Sequence, residues 1–197
     1  MDLLYDRSSI MITDAPPPRA AAKFLESDRV TTLDLPQNGT LPALAKMIES
    51  AMKDERRGDL RTACADFLRA ASEFYRVPVC SISILSARPL RVRERWETEI
   101  FGDYNPATMS IRVWMKTART KEVTSLGTFL STLCHEFCHH LDFKRFKFPD
   151  SWHTRGFYAR TAALYHHARG TPPKRLCWVA LSRGRFRIDW PRTNRSL

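Results

Sequence analysis

The chain has 197 residues, of which 43% are hydrophobic, and this is enough for one domain with a substantial core. No run of about 18 apolar residues occurs, which excludes a transmembrane helix. The first residues lack the basic and apolar segments of a secretory signal, so we expect a cytoplasmic protein. The formal net charge of +11 is uneven, because residues 141–197 carry thirteen basic and three acidic side chains.

This C-terminal excess of positive charge indicates an anionic partner, with DNA or another polyanion as the first candidate. The alternatives are a purely solubilising charge or an acidic protein partner. The five cysteines are scattered and form no C-x-x-C pair. Such a distribution favours buried thiols over a disulfide framework or a zinc ribbon.

The N-terminal half is predicted to contain an arm and two helices. Residues 1–40 include Pro16-Pro17-Pro18 and show no sustained hydrophobic period, which predicts an irregular or disordered arm. Apolar residues at helical spacing then predict helices at residues 41–58 and 59–77. Asp59 is the expected N-cap of the second helix.

Three strands are predicted next, because apolar and polar residues alternate at positions 79–85, 92–100 and 109–115. A turn is predicted at residues 102–106, before the last strand. We expect the three strands to form one small antiparallel sheet.

The following helix, predicted at residues 124–146 with Thr124 or Ser125 as its cap, contains the pattern His135-Glu136-Phe137-Cys138-His139. At about 3.6 residues per turn, its two outer histidines lie one above the other. The opposite side of this helix gathers the apolar residues Leu126, Leu130, Leu133, Phe137 and Leu141. Two neutral imidazoles at this spacing suit zinc, and the glutamate lies where a general base belongs. The alternative is an ordinary amphipathic helix with exposed histidines.

A third ligand has to come from outside this helix, and no Glu follows Glu136 in the sequence. His153 follows a break where the chain can reverse, and it begins a helix able to return to the motif, so we predict it as the third ligand. His166 and His167 lie about 20 Å farther along that helix. Asp142 shares the histidine face and is predicted to accept an imidazole N–H, with an ordinary surface carboxylate as the alternative.

The helix that His153 opens is predicted to end at Gly170. The tail after it alternates short apolar groups with Arg183, Arg185 and Arg187. This pattern predicts either a basic hairpin or an extended arm. The three arginines are the candidate nucleic-acid contacts.

Three segments together resemble a known family. They are the Gly-x-Tyr turn and strand of residues 102–115, the segment Leu133-Cys134-His135-Glu136-Phe137-Cys138-His139, and the segment His153-Thr154-Arg155-Gly156-Phe157. They are similar to the SprT-like zinc metallopeptidases, which include the Spartan-type proteases, over roughly residues 60–170. The resemblance implies that His135, His139 and His153 bind one zinc ion. Many members carry a cysteine-rich zinc ribbon after the catalytic part, and no such pattern follows here.

The predicted fold class is therefore α+β and zincin-like, with a small antiparallel sheet packed on the active-site helix and flanking helices. The predicted division is an arm of residues 1–40, a metallopeptidase domain of residues 41–175 and a basic tail of residues 176–197. The predicted activity is hydrolysis of protein or peptide substrates by a zinc-activated water, with Glu136 as general base. The alternative is a non-catalytic, zinc-stabilised module that binds nucleic acid.

The sequence allows alternatives for two features of the predicted site. The strand at residues 109–115 is a candidate edge for pairing an extended substrate, and a strand that only supports the helix is the alternative. The group that stabilises the oxyanion could be Tyr158, Tyr165 or Arg155.

Overall fold

The computed structural model describes residues 11–93 and 96–195, so parts of the predicted arm (residues 1–10) and tail (residues 196–197) lie outside the described residues. The fold is α+β, as predicted. Its elements are α1 Ala21–Arg29, α2 Thr40–Lys53, α3 Arg57–Tyr75, β1 Ser81–Ala87, β2 Leu90–Arg93, β3 Trp96–Glu99, β4 Gly102–Asn105, β5 Ser110–Lys116, α4 Leu126–Leu141, a π-helical turn Asp142–Phe146, α5 Arg155–Arg169, β6 Trp178–Ala180, β7 Phe186–Ile188 and α6 Trp190–Thr193. Within the described ranges, no helix combines the length and apolar content needed to cross a membrane.

Helix α4, which carries the histidine pattern, lies at the centre of the fold. It begins at Ser125, whose hydroxyl accepts a hydrogen bond from the backbone N–H of Thr128. It contacts α2, α5, β4 and β5. Its apolar face is fully buried in the core and includes Leu130, Leu133, Cys134, Phe137 and Cys138. The buried thiols expected from the sequence are therefore confirmed for this helix.

The four predicted helices are present as α2 to α5, with small shifts at their ends. Helix α3 begins at Arg57, so Asp59 lies in its first turn and is not the N-cap. Helix α5 begins at Arg155, because the hydroxyl of Thr154 accepts a hydrogen bond from the backbone N–H of Phe157 and caps the helix. His153 therefore precedes α5 instead of opening it.

The sheet differs from the predicted antiparallel arrangement. Strand β5 lies between β1 and β4, parallel to β1 and antiparallel to β4. The predicted strand at residues 92–100 is instead part of a separate hairpin of β2 and β3, whose connecting residues 94–95 lie outside the described residues. Alternation does not distinguish parallel from antiparallel pairing, and the chain between β1 and β5 exceeds the dozen or so residues that a parallel crossover needs.

The predicted turn at residues 102–106 is also corrected. Residues Gly102–Asn105 form the edge strand β4, and the turn follows at residues 106–109. Because β5 has a partner on both sides, it has no free edge for a substrate. Among the described residues, the free edge of this sheet nearest the histidine pattern belongs to β4.

The prediction of an irregular arm is wrong for residues 21–29, which form α1 and pack on α5. The buried residues of α1 are Phe24, Ser27 and Asp28. A helix that buries one apolar side chain and two polar ones leaves no hydrophobic period, and this explains why the sequence pattern missed it.

Polar groups join α1 to the start of α5. The hydroxyls of Ser27 and Thr154 lie 3.0 Å apart, and the carboxylate of Asp28 accepts a hydrogen bond of 2.8 Å from the backbone N–H of Arg155. The guanidinium of Arg155 donates to the same carboxylate. Gly156 allows the close approach, because a Cβ there would overlap the carbonyl oxygen of Ser27.

The basic tail folds as a hairpin, one of its two predicted forms. Strands β6 and β7 pair antiparallel, and residues 181–185 connect them. The segment Met11–Thr13 lies along β7, since the backbone N–H of Thr13 donates to the carbonyl of Phe186 (2.8 Å) and that of Ile188 donates to the carbonyl of Met11 (3.2 Å). The first described residues are thereby attached to the C-terminal hairpin.

Candidate metal centre

Three imidazoles converge at one point of the fold. His135 and His139 project from successive turns of α4, and His153 projects from the loop before α5. Nε2 of His135 lies 3.2 Å from Nε2 of His139 and 3.2 Å from Nε2 of His153. The three side chains could bind a metal ion, and the predicted convergence of these residues is confirmed.

Burial keeps the imidazoles of α4 neutral. It lowers the pKa of His139 to about 3, with the neighbouring His153 adding to the effect. It also lowers the pKa of His135 well below its ordinary value. The ring of Phe157 stacks on His139 at 4.5 Å between centroids and meets His135 edge-on at 4.9 Å, which excludes water from this side. Neutral imidazole is the form that binds metal ions.

His153 is held by a residue that no sequence pattern predicts. Its Nδ1 lies 3.3 Å from Oδ2 of Asp14, and the backbone N–H of Asp14 donates to the carbonyl of His153 at 3.2 Å. His153 has φ 48°, in the left-handed region that few non-glycine residues adopt. A carboxylate on Nδ1 fixes the proton there and leaves the lone pair of Nε2 directed at the other two histidines.

Glu136 lies buried beside the cluster, with 6% of its surface exposed. Burial raises its pKa to about 8, and the charge of Asp103 contributes. Strand β4 passes close to it, because Gly102 has no side chain: a Cβ there would lie 2.6 Å from Cγ2 of Thr132 and 3.0 Å from Cγ of Glu136. The glycine therefore allows the edge strand β4 to lie close to the side chain of Glu136.

A cavity of about 300 Å³, here named the histidine cavity, opens over the three rings. Strand β4 and the loop before α5 form its two sides. Its lining residues are Gly102, Asp103, Tyr104, Pro106, His135, Glu136, His139, Phe143, Trp152 and His153. Trp152 is half exposed at the rim, with its ring 6.1 Å from that of His139. An extended chain lying along β4 would reach the three histidines.

The predicted role of Asp142 is wrong. Its carboxylate accepts two hydrogen bonds from Nη2 of Arg160, at 2.8 and 2.9 Å, instead of one from a histidine ring. Both side chains are buried. Arg160 also donates to the backbone carbonyl of Ser27 at 3.2 Å. The ion pair therefore joins the end of α4 to α5 and α1, and its task is structural.

His140 makes its hydrogen bonds away from the cluster. Its Nε2 lies 2.8 Å from the carbonyl oxygen of Pro78 and must donate to it, so its Nδ1 accepts the hydroxyl proton of Tyr104 at 2.9 Å. Burial lowers the pKa of His140, in agreement with this neutral form. The chain of hydrogen bonds holds β4 against α4.

Of the three candidate oxyanion groups, Tyr158 lies beside the cluster, with its ring 6.2 Å from that of His135. Its hydroxyl donates to the carbonyl of Ile12 at 3.4 Å. Arg155 is engaged by Asp28. Tyr165 is fully buried in the core, about two turns farther along α5.

The three tail arginines lie on the β6–β7 hairpin. Arg183 and Arg187 are exposed, and Arg185 is half-buried. Arg183 has φ 60° at the tip of the connection. The hairpin thus presents positive charge to solvent beside the segment that leads to Asp14.

Comparisons with protein-family models, with curated proteins and with solved structures gave no match to this chain. Any assignment of function therefore rests on the arrangement of the chain's own residues.

Proposed function

We propose that this chain is a zinc-dependent metalloendopeptidase with a zincin-like site of the SprT-like type. The observation that carries the proposal is the convergence of the Nε2 atoms of His135, His139 and His153 beside the buried carboxyl of Glu136. Nitrogen ligands about 2.0–2.1 Å from a tetrahedral zinc ion lie about 3.3–3.4 Å apart. The two separations from Nε2 of His135, each 3.2 Å, are close to this value.

The number of ligands supports a catalytic site over a structural one. The group found among the described residues has three members, all imidazoles. Structural zinc sites usually close with four protein ligands, whereas catalytic sites keep one position for water or substrate. A carboxyl beside the ligands has no role in a purely structural site.

The zinc ion, Glu136 and strand β4 each have a part in the proposed reaction. When bound, zinc polarises the scissile carbonyl and acidifies a water molecule. Glu136 accepts the proton of that water and delivers it to the leaving amine. The substrate lies extended along the free edge of β4, which passes over Glu136 at Gly102.

The charge distribution favours substrates that are associated with nucleic acid. Residues 141–197 carry most of the excess positive charge, and the hairpin exposes part of it. DNA or another polyanion bound there would hold its associated proteins near the histidine cavity.

Replacing Glu136 with Gln tests the proposal. The amide cannot accept a proton, so hydrolysis of an unfolded protein should fall by about 100- to 10,000-fold. Zinc content should stay at one ion per chain, because the three histidines are unchanged. Metal analysis and a casein cleavage assay, with and without single-stranded DNA, measure the two quantities. Glu122→Gln, an exposed glutamate before α4, is the matched control and should keep full activity.

Two results would contradict the proposal. A zinc-loaded wild type that cleaves neither free nor DNA-bound proteins would favour a non-catalytic, zinc-stabilised binding module. A Glu136→Gln variant as active as the wild type would show that Glu136 is not the general base. His153→Ala checks the ligand set independently, because loss of one imidazole in three should release the metal.

A further inference from the structure

A second cavity of about 330 Å³ opens on the other side of Glu136. The two turns of α4 that precede His135 form its floor, so we name it the upstream cavity. Its lining residues are Met11, Glu99, Ile100, Phe101, Gly102, Thr128, Ser131, Thr132, His135 and Glu136. Met11 comes from the N-terminal segment on β7, and residues 99–102 come from the chain that enters β4. Large apolar side chains therefore form its walls.

The hydroxyl groups on the floor already have hydrogen-bond partners. Ser131 and Thr132 both donate to the backbone carbonyl of Thr128, at 3.0 and 2.9 Å. The hydroxyl of Thr128 lies 3.0 Å from that of Ser125. Because these groups bond within α4, the floor makes no demand for a polar ligand.

The one further charged group of the lining, Glu99, is also paired. Its carboxylate accepts a hydrogen bond of 3.0 Å from Arg88, a buried guanidinium that also donates to Thr124 and lies over the ring of Phe101. A lysine or arginine side chain entering the cavity would compete with this cation. An acidic side chain would meet Glu99 itself.

The upstream cavity and the histidine cavity share three residues, Gly102, His135 and Glu136. A peptide bond placed over the histidines and Glu136 therefore lies in the histidine cavity, next to the residues that this cavity shares with the upstream cavity. Successive residues of an extended chain advance about 3.3 Å, so a residue flanking the scissile bond reaches the upstream cavity.

We infer that the upstream cavity binds a large apolar side chain, such as that of Leu, Met or Phe, next to the scissile bond. This inference rests on the proposed peptidase function and adds the class of substrate residue. The volume lies at the lower end of the range for ligand pockets, about 300–1,000 Å³, which suits one side chain. Burial of such a side chain favours it over glycine by about 10- to 100-fold in affinity.

Binding of hydroxamates to the zinc-loaded protein tests the inference by calorimetry. One probe carries an isobutyl group on the carbon next to the hydroxamate, and a second carries it one carbon farther away, so that the two probes cover both sides of the scissile bond. At least one should bind about 10- to 100-fold more tightly than its unsubstituted counterpart. In a protein with ¹³C-methyl methionine, the same probe should shift the methyl resonance of Met11, assigned by Met11→Leu.

Two variants locate the effect. Thr128→Leu fills the cavity from its floor, and the affinity ratio between isobutyl and unsubstituted probes should fall below about 3-fold. Thr62→Leu is the matched control, because Thr62 is a helical threonine on α3 whose hydroxyl bonds within its own helix, and the ratio should persist. Met11→Ala widens the opposite wall and should move the preference from isobutyl to benzyl, which provides a second test if Thr128→Leu does not fold.

Equal affinities for isobutyl and unsubstituted probes would overturn the inference and leave the metal site intact. A preference for an aminobutyl side chain, the charged analogue of lysine, would also overturn it. A ratio that persists in Thr128→Leu and in Met11→Ala would place the apolar site elsewhere. Absence of binding by every hydroxamate would instead overturn the proposed function itself.

Discussion

The geometry of His153 explains how a loop residue joins two helical histidines in a candidate metal site. Its φ of 48° turns the side chain toward α4 at the point where the chain is about to enter α5. A left-handed conformation of a non-glycine residue costs of order 1–3 kcal/mol, so surrounding contacts have to maintain it. Asp14 supplies two of them, one through its carboxylate and one through its backbone N–H.

We predict that Asp14→Asn weakens zinc binding by about 10- to 100-fold, the usual effect of removing a carboxylate behind a histidine ligand. The amide keeps the size of the side chain but loses the charge that fixes the proton on Nδ1. Competition with a chelator of known zinc affinity measures the change. Asp150→Asn, an exposed carboxylate in the loop before His153, is the control and should bind zinc as the wild type does. Equal affinities for both variants would show that Asp14 has no part in the site.

At the scale of elements, the contact between α1 and α5 is closer than side chains normally permit. A Cβ at Gly156 would overlap the carbonyl oxygen of Ser27 and would lie 2.7 Å from that of Val30. These oxygens belong to the backbone and cannot rotate away. The same stretch of α1 holds Arg155 and Arg160, so a shift of α1 would disturb the helix that follows His153.

Gly156→Ala should therefore lower the free energy of unfolding by about 3 kcal/mol, the upper part of the range for overpacking. Urea denaturation of the metal-free protein measures it without a contribution from metal binding. Gly58 in α3 provides the matched control, because nothing lies within 4 Å of its Cβ position. Gly58→Ala should leave the stability unchanged or raise it by up to about 1 kcal/mol, since alanine restricts the unfolded chain. Similar losses in both variants would show that the close approach to the carbonyl oxygen of Ser27 is not the cause.

The helices of the core could be predicted from the sequence, because their apolar residues recur at the period of an α-helix. The same reasoning placed His135 and His139 on one face, whereas the break before His153 and the absence of a later Glu selected the third histidine. The partners of these residues could not be predicted. Asp142 lies on the histidine face, yet it binds Arg160, since a buried guanidinium needs a carboxylate more than an imidazole does.

The pairing of strands that are distant in the sequence could not be predicted either. The parallel register of β1 on β5, Ile84 beside Val113, depends on a crossover that leaves no mark in the alternation of either strand. Helix α1 and Asp14 bind through polar contacts, and a single carboxylate carries no periodic signal. These contacts join residues 14–28 to residues 153–155, and no local pattern in the sequence indicates them.

At the scale of the whole molecule, the basic hairpin is the part most exposed to an anionic partner. We predict that changing Arg183, Arg185 and Arg187 together to Gln weakens DNA binding and lowers the slope of log K against log[salt] by about 2 to 3, since each lost phosphate contact removes about 0.7–0.9. Binding titrations at several salt concentrations measure both. The matched control changes three exposed arginines on or next to α3: Arg56, Arg57 and Arg61. Binding that is absent or independent of salt would contradict the prediction of a polyanionic partner. Equal effects of both triple variants would show that the hairpin does not contact DNA.

The contact between Ser27 and Thr154 spans 127 residues of chain. Helix α1 can therefore pack on α5 only after all of the intervening chain has been synthesised. Ribosomes add about 5–20 residues per second, so about 6–25 s pass between the synthesis of α1 and that of its partner α5. During this interval the growing chain has the helix with His135 and His139 at most, and His153 has not yet been added. The candidate metal site therefore cannot assemble on a short nascent chain, because its third histidine and α5 are added after α4.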